Sequence, residues 1–101
     1  MHTIIVLFNL KAGVSAEAYE SWARSTDLVI VNALPSVDRF EILRTTGLLG
    51  GGTAPFQYIE ILRVPAMDAL FADIDTVTMQ RVAAEFRAFA DAPLFITTTA
   101  I

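Results

Sequence analysis

Apolar residues recur along this chain with two periods. From Thr3 to Leu10 they fall on both faces of an extended segment, Ile4, Val6 and Phe8 on one side and Ile5, Leu7 and Asn9 on the other. A strand that is apolar on both faces is covered on both, so this one is expected at the centre of a sheet. Lys11 to Val14, with Gly13, forms the exit turn. The period then changes to three and four. Ser15 is a suitable N-cap, Glu17 and Glu20 suit the positive end of the helix dipole, and Tyr19, Trp22, Ala23 and Thr26 form a stripe that faces the sheet. Glu20 and Arg24 make an i,i+4 pair on the outside. Asp27 is placed to cap a second, short helical piece, Leu28 to Leu34, apolar nearly all round and ended by Pro35.

A long β-hairpin follows and organises the rest. Val37 to Thr46 and Phe56 to Val64 mix β-branched and aromatic residues with charges, and the Gly/Pro-rich Gly47 to Pro55 breaks them apart. The second strand carries Phe56, Tyr58, Glu60, Leu62 and Val64 on one face and Gln57, Ile59, Ile61 and Arg63 on the other. It too is greasy on both sides. After Pro65, Met67, Leu70, Phe71 and Ile74 have helical spacing. A further helix carries the stripe Val82, Ala83, Phe86, Phe89 and Ala90, with Thr76 or Thr78 as its cap and Pro93 as its stop. Phe95 to Ile101 reads as the last strand.

The order β-α-β-β-α-β predicts an α+β fold, the split βαβ arrangement of a ferredoxin-like domain, with residues 1–101 as a single domain. Its helices can cover only one face of the four-stranded sheet. The bare face then needs a second sheet, so a homodimer with its sheets face to face, a dimeric α/β barrel, is expected.

Composition supports that expectation. The hydrophobic fraction is 54%, above the usual ~45–50%, and the charged fraction is 18%, below the usual ~25%. So apolar a small domain exposes a patch or covers it with a partner. With 7 basic against 11 acidic residues, a net charge of −4 and no basic cluster, nucleic acid and anionic membranes are not expected partners. The chain has no cysteine, which removes disulfides, thiolate chemistry and Cys-ligated metal. A single histidine, His2, argues against a His-based metal site. The N-terminus enters the apolar run Ile4 to Phe8 without a basic stretch or a cleavage site, and reads as a strand rather than a leader; a cytoplasmic location is expected.

Glu60 is the leading candidate for chemistry. It sits amid apolar neighbours, where a carboxyl has a raised pKa and can serve as general acid or base. In the register that sets Thr46 opposite Phe56, Asp38, Phe40, Ile42 and Arg44 share its face. Tyr58 and Arg44 are then candidates to act with it, and a structural Glu60–Arg44 ion pair is the plainer alternative. Trp22 and Tyr58 can stack on a flat aromatic ligand or serve as ordinary core aromatics. Asn9 can orient a ligand or mark the strand's exit. Asp27, Asp38 and Arg39 are candidate rim groups that capping and solvation also explain. His2, the one side chain that ordinarily titrates near neutrality, is a candidate proton carrier, although a second residue usually frays. Gly50, Gly51 and Gly52 make no phosphate loop; they form a mobile lid, a partner-gripping arm or a slack connection. No Ser/His/Asp or Cys/His set and no Gly-x-Ser-x-Gly is present.

HTIIVLFNL, YESWARSTDLVIVNALPSVDRFEILR, the Gly-rich break and PFQYIEILRV together resemble the RedY-like proteins of prodiginine biosynthesis over essentially the whole chain. The resemblance implies a dimeric α/β barrel of ferredoxin-like subunits. It also implies a role in making the methoxy-bipyrrole aldehyde half of a red tripyrrole pigment, or in tailoring related bipyrrole and indole rings. It transfers no catalytic residues. A neutral, flat bipyrrole-like ligand suits an apolar slot with an aromatic wall and one or two polar groups. No cofactor motif is present, so acid/base chemistry is expected, with a non-catalytic carrier of a reactive pyrrole as the alternative.

Overall fold

The computed structural model describes Met1–Ile101. Four antiparallel strands lie in the order β2-β3-β1-β4, formed by β1 (His2–Leu10), β2 (Arg39–Arg44), β3 (Tyr58–Val64) and β4 (Ala90–Thr99). The two strands that are apolar on both faces, β1 and β3, take the two central places, as expected. β2 and β3 pair in the expected register, with Arg44 opposite Tyr58 and Ile42 opposite Glu60.

The first helical region is continuous. α1 (Ala16–Trp22) starts where the Ser15 hydroxyl accepts from the Ala18 N–H at 3.1 Å. It runs through a π turn (Ala23–Asp27) into α2 (Leu28–Asn32). In the π turn the Leu28 N–H reaches back five residues to the Ala23 carbonyl. Asp27 is therefore no cap: it lies inside the helix with helical dihedrals and is buried. α2 ends at Asn32, and the Asn32 side chain ties the helix to the edge strand: its amide donates to the Phe40 carbonyl at 3.1 Å and its oxygen accepts from the Phe40 N–H at 2.9 Å.

α3 (Met67–Ile74) and α4 (Val77–Phe89) form the second helical region. The Thr76 hydroxyl caps α4 by accepting from the Met79 N–H at 3.2 Å. Pro93 does not stop this helix. α4 ends at Phe89, whose carbonyl accepts from the Lys11 N–H at 2.9 Å, and β4 begins at once with Ala90. The proline sits inside β4 beside Ala92, which has φ 44°, where the pairing with β1 slips between Leu7 and Asn9. Such an irregularity is where a strand tolerates a residue without an N–H.

All the helices lie on one face of the sheet. Phe8 is fully buried there, stacked on Tyr58 with ring centroids 5.5 Å apart and edge-on to Tyr19 and Phe86. Such aromatic pairs add roughly 0.5–1.5 kcal/mol each beyond their buried area. The other face carries Ile5, Leu7, Ile59, Ile61, Leu43, Leu94 and Ile96 in neighbouring positions. No part of the chain covers it: Leu43 is 43%, Leu94 49% and Ile96 41% exposed. No helix is long and apolar enough to cross a membrane.

Candidate functional site

Between the sheet and the helices lies a cavity of about 680 Å³. That is within the range of small-molecule sites, roughly 300–1,000 Å³. Ile4, Val6 and Phe40 line it from the sheet, and Leu70, Val82 and Phe86 from α3 and α4. Its polar lining is limited to Asp27, Glu60, Gln80, Arg87 and Thr97. Both carboxylates are buried, Asp27 at 5% and Glu60 at 6% exposure.

Glu60 projects from the middle of β3, opposite Val6 of β1 and Ile42 of β2. Its one hydrogen bond is a long one, 3.4 Å from the Tyr19 hydroxyl to Oε2. Burial first, and the neighbouring Asp27 carboxylate second, push its pKa up to about 8, and the Tyr19 hydrogen bond only partly opposes the rise. The Tyr19 hydroxyl is itself raised, by burial first and by Glu60 second. Asp27 has no hydrogen-bond partner in the protein, and burial alone pushes its pKa up to about 7. A carboxyl in this state holds its proton near neutrality and can both give and take one.

The sequence placed Tyr58 and Arg44 beside Glu60; the structure groups them elsewhere. The Tyr58 hydroxyl donates to Glu20 Oε2 at 2.7 Å, and the Arg44 guanidinium holds both Glu20 oxygens, with Nε at 2.7 Å from Oε2. The expected Glu60–Arg44 ion pair is absent because Arg44 reaches outward to α1. Hydrogen bonds from Arg44 and then Tyr58 pull the Glu20 pKa down to about 2. The Tyr58 hydroxyl rises to about 12 through burial and its bond to Glu20. These residues line a separate cleft of about 190 Å³.

Of the remaining candidates only Phe40 lines the large cavity. Trp22 packs on Phe89 and donates its indole N–H to Glu85 at 2.9 Å. Asn9 secures the hairpin connection, accepting from the Gln57 N–H at 2.9 Å and donating to the Pro55 carbonyl at 3.2 Å. Asp38 is exposed at the start of the hairpin and Arg39 pairs with Glu41. His2 is exposed on β1, four positions from the Val6 that faces Glu60. That separation is about 13 Å along a strand, and His2 does not line the cavity. Asp27, read from the sequence as a rim or capping group, is the residue that joins Glu60 instead. The stripe of Tyr19 and Ala23 passes to Asp27 rather than to Thr26, because the π turn inserts an extra residue and delays the helix phase by about 100°.

The family described as REDY-like protein HapK matches residues 2–101. No curated protein sequence matches the chain. Among solved structures, HapK from Hahella chejuensis is similar at 28% identity and TM-score 0.80, covering 100% of this chain and 93% of that one. SnoaB from Streptomyces nogalater, a cofactor-independent oxygenase, is similar at 20% identity and TM-score 0.75, covering 98% of this chain and 91% of that one. A dimeric ferredoxin-like protein of unknown function from Thermobifida fusca is similar at 15% identity and TM-score 0.76, covering 98% and 90%. The last two likenesses extend to the fold. The fold is ferredoxin-like, and by the match across its whole length the chain belongs to the RedY-like HapK family.

Proposed function

We propose that this protein is a small, cofactor-free tailoring enzyme that moves protons on a flat heteroaromatic intermediate held in the large cavity. The observation that carries the reading is Glu60: a carboxyl without a cationic partner, held protonated near neutral pH on the wall of a largely apolar chamber. An isolated buried carboxylate is costly, and such groups persist where their perturbed acidity is used. Phe40 and Phe86 supply aromatic walls for a planar ring system. Glu60 receives a ring N–H or gives its proton to a carbonyl or hydroxyl oxygen, and Tyr19 steadies its carboxyl. The bipyrrole intermediates of prodiginine pigments, in the branch that leads to the methoxy-bipyrrole aldehyde, have the required shape and chemistry. Membership of the RedY-like family supports that choice of substrate class.

The test is to incubate a bipyrrole alcohol or aldehyde precursor with the purified protein and with Glu60→Gln, and to follow it by mass spectrometry. A product formed only by the wild type is the expected result. Precursor that stays chemically unchanged but is protected from decay by both proteins would instead make this a carrier.

The bare sheet face carries a second proposal, a homodimer with the two sheets packed against each other. Its support is the contiguous exposed apolar surface around Leu43, Leu94 and Ile96. A protein of the same fold is described as dimeric.

A further inference from the structure

We propose that Asp27 is a ligand-contacting residue, the second acceptor of the cavity, aimed by the π turn at a hydrogen-bond donor that Glu60 does not reach. This deepens the reading of the cavity as the ligand site and rests on it.

Three observations meet at Asp27. The first is its state: a side chain 5% exposed that lines the cavity while no group of the protein donates a hydrogen bond to it. Buried acceptors are almost always satisfied, so one facing a cavity is an acceptor kept for something that enters. The second is the backbone. A π turn gives up regular i,i+4 bonds, turns the side chains that follow it, and is frequent at functional sites. Here the re-aimed residue is Asp27 itself: at about 100° per residue a regular helix would set it about 80° from Tyr19, and the delay of the π turn brings it to within about 20°. The third is position. Asp27 comes from the helix layer and Glu60 from the sheet, and the two charges are near enough for Asp27 to raise Glu60. A planar ligand between the layers can therefore donate to both at once. The apolar remainder of the wall offers no competing acceptor beyond Gln80 and Thr97.

Asp27 thus acts as a specificity determinant. It selects two conjoined rings that each carry a donor over rings that carry one.

Three isosteric probes read this by titration calorimetry: 2,2'-bipyrrole with two N–H donors, 2-(2-furyl)pyrrole with one, and 2,2'-bifuran with none. The wild type is expected to bind them in that order, each step about tenfold, as one satisfied buried hydrogen bond gives. Asp27→Leu should reduce bipyrrole to the affinity of furylpyrrole and leave furylpyrrole, whose single N–H goes to Glu60, unchanged. A bipyrrole preference that survives in Asp27→Leu would overturn the assignment. If Glu60→Leu still erased the preference of furylpyrrole over bifuran, the reading of Glu60 would stand without it. Equal binding of all three probes by the wild type would overturn both. The unmutated protein supplies an independent check: bound 2,2'-bipyrrole should show two downfield-shifted pyrrole N–H resonances, and a single shifted resonance would count against Asp27.

Discussion

Tyr58 gives its hydroxyl hydrogen to Glu20 and not to Glu60, although Glu60 stands two residues further along the same strand face. Two glutamates, one on α1 and one on β3, are thereby driven in opposite directions. Glu20, gripped by Arg44 and Tyr58, falls to about 2, while Glu60, left with one long hydrogen bond in an apolar wall, rises to about 8. The first is a fastener between α1 and the hairpin; the second is a reagent.

A mutation separates the two. Tyr58→Phe should lower the unfolding free energy by about 1 kcal/mol, the ordinary contribution of one hydrogen bond, while ligand affinity stays within twofold. Urea unfolding at constant m-value measures the first quantity and calorimetric titration the second.

If Glu60 works in its protonated form, turnover should be level at neutral pH and decline as the pH rises through about 8, where the carboxyl loses its proton. Glu60→Gln should cost about 10²–10⁴ in rate, the usual scale of a general acid, and should lack that alkaline limb. A pH–rate profile of both proteins checks this; a wild-type profile level to pH 9 would remove Glu60 from the role.

Stability should also depend on pH with an unusual sign. Asp27 and Glu60 have ordinary values of 3.8 and 4.5 and are raised in the fold to about 7 and about 8. Between those limits the folded chain binds more protons than the unfolded chain, so stability falls as pH rises from about 4 to about 8, by at most about 1.4 kcal/mol per pH unit for each group. Glu20 has the opposite sign: its contribution is complete above 4.5 and fades as the pH drops toward about 2. Denaturant titrations across pH should therefore find a maximum between about 4 and 5. Asp27→Asn should flatten the descent up to about 7.

The sequence carried the frame of this site better than its membership. Apolar residues on both faces marked β1 and β3 as strands covered on both sides, and period two put Glu60 and Phe40 on one shared face, in the register that the sheet shows; which face meets the helices was not legible. Ser15 and Thr76 were legible as caps because capping needs only a hydroxyl at the right offset. Asp27 was not legible, because helical periodicity assumes 3.6 residues per turn and one π turn shifts the phase without a mark in composition. Arg44 was misassigned for a related reason: register places it on the face of Glu60, but a long side chain at a strand end can reach a partner on the helix above that face. Pro93 read as a helix stop because a bulge that accepts it is a property of two strands, not of one.

The dimer has its own test. Leu94 is half-exposed on the bare face, on the edge strand β4 opposite Leu7. Leu94→Arg should leave the far-ultraviolet circular dichroism unchanged and halve the mass seen by light scattering. A wild type that already sediments as a monomer would dispose of the interface.

The bond between Trp22 and Glu85 makes the molecule its own optical gauge. Trp22 is the only tryptophan in the chain, and its indole bridges two helices, from α1 to a glutamate on α4. The residue next to it, Ala23, opens the turn that ends at Asp27. Any ligand that parts these helices lengthens the indole's hydrogen bond and alters its contact with Phe89, so the emission of one native fluorophore reports occupancy without a label.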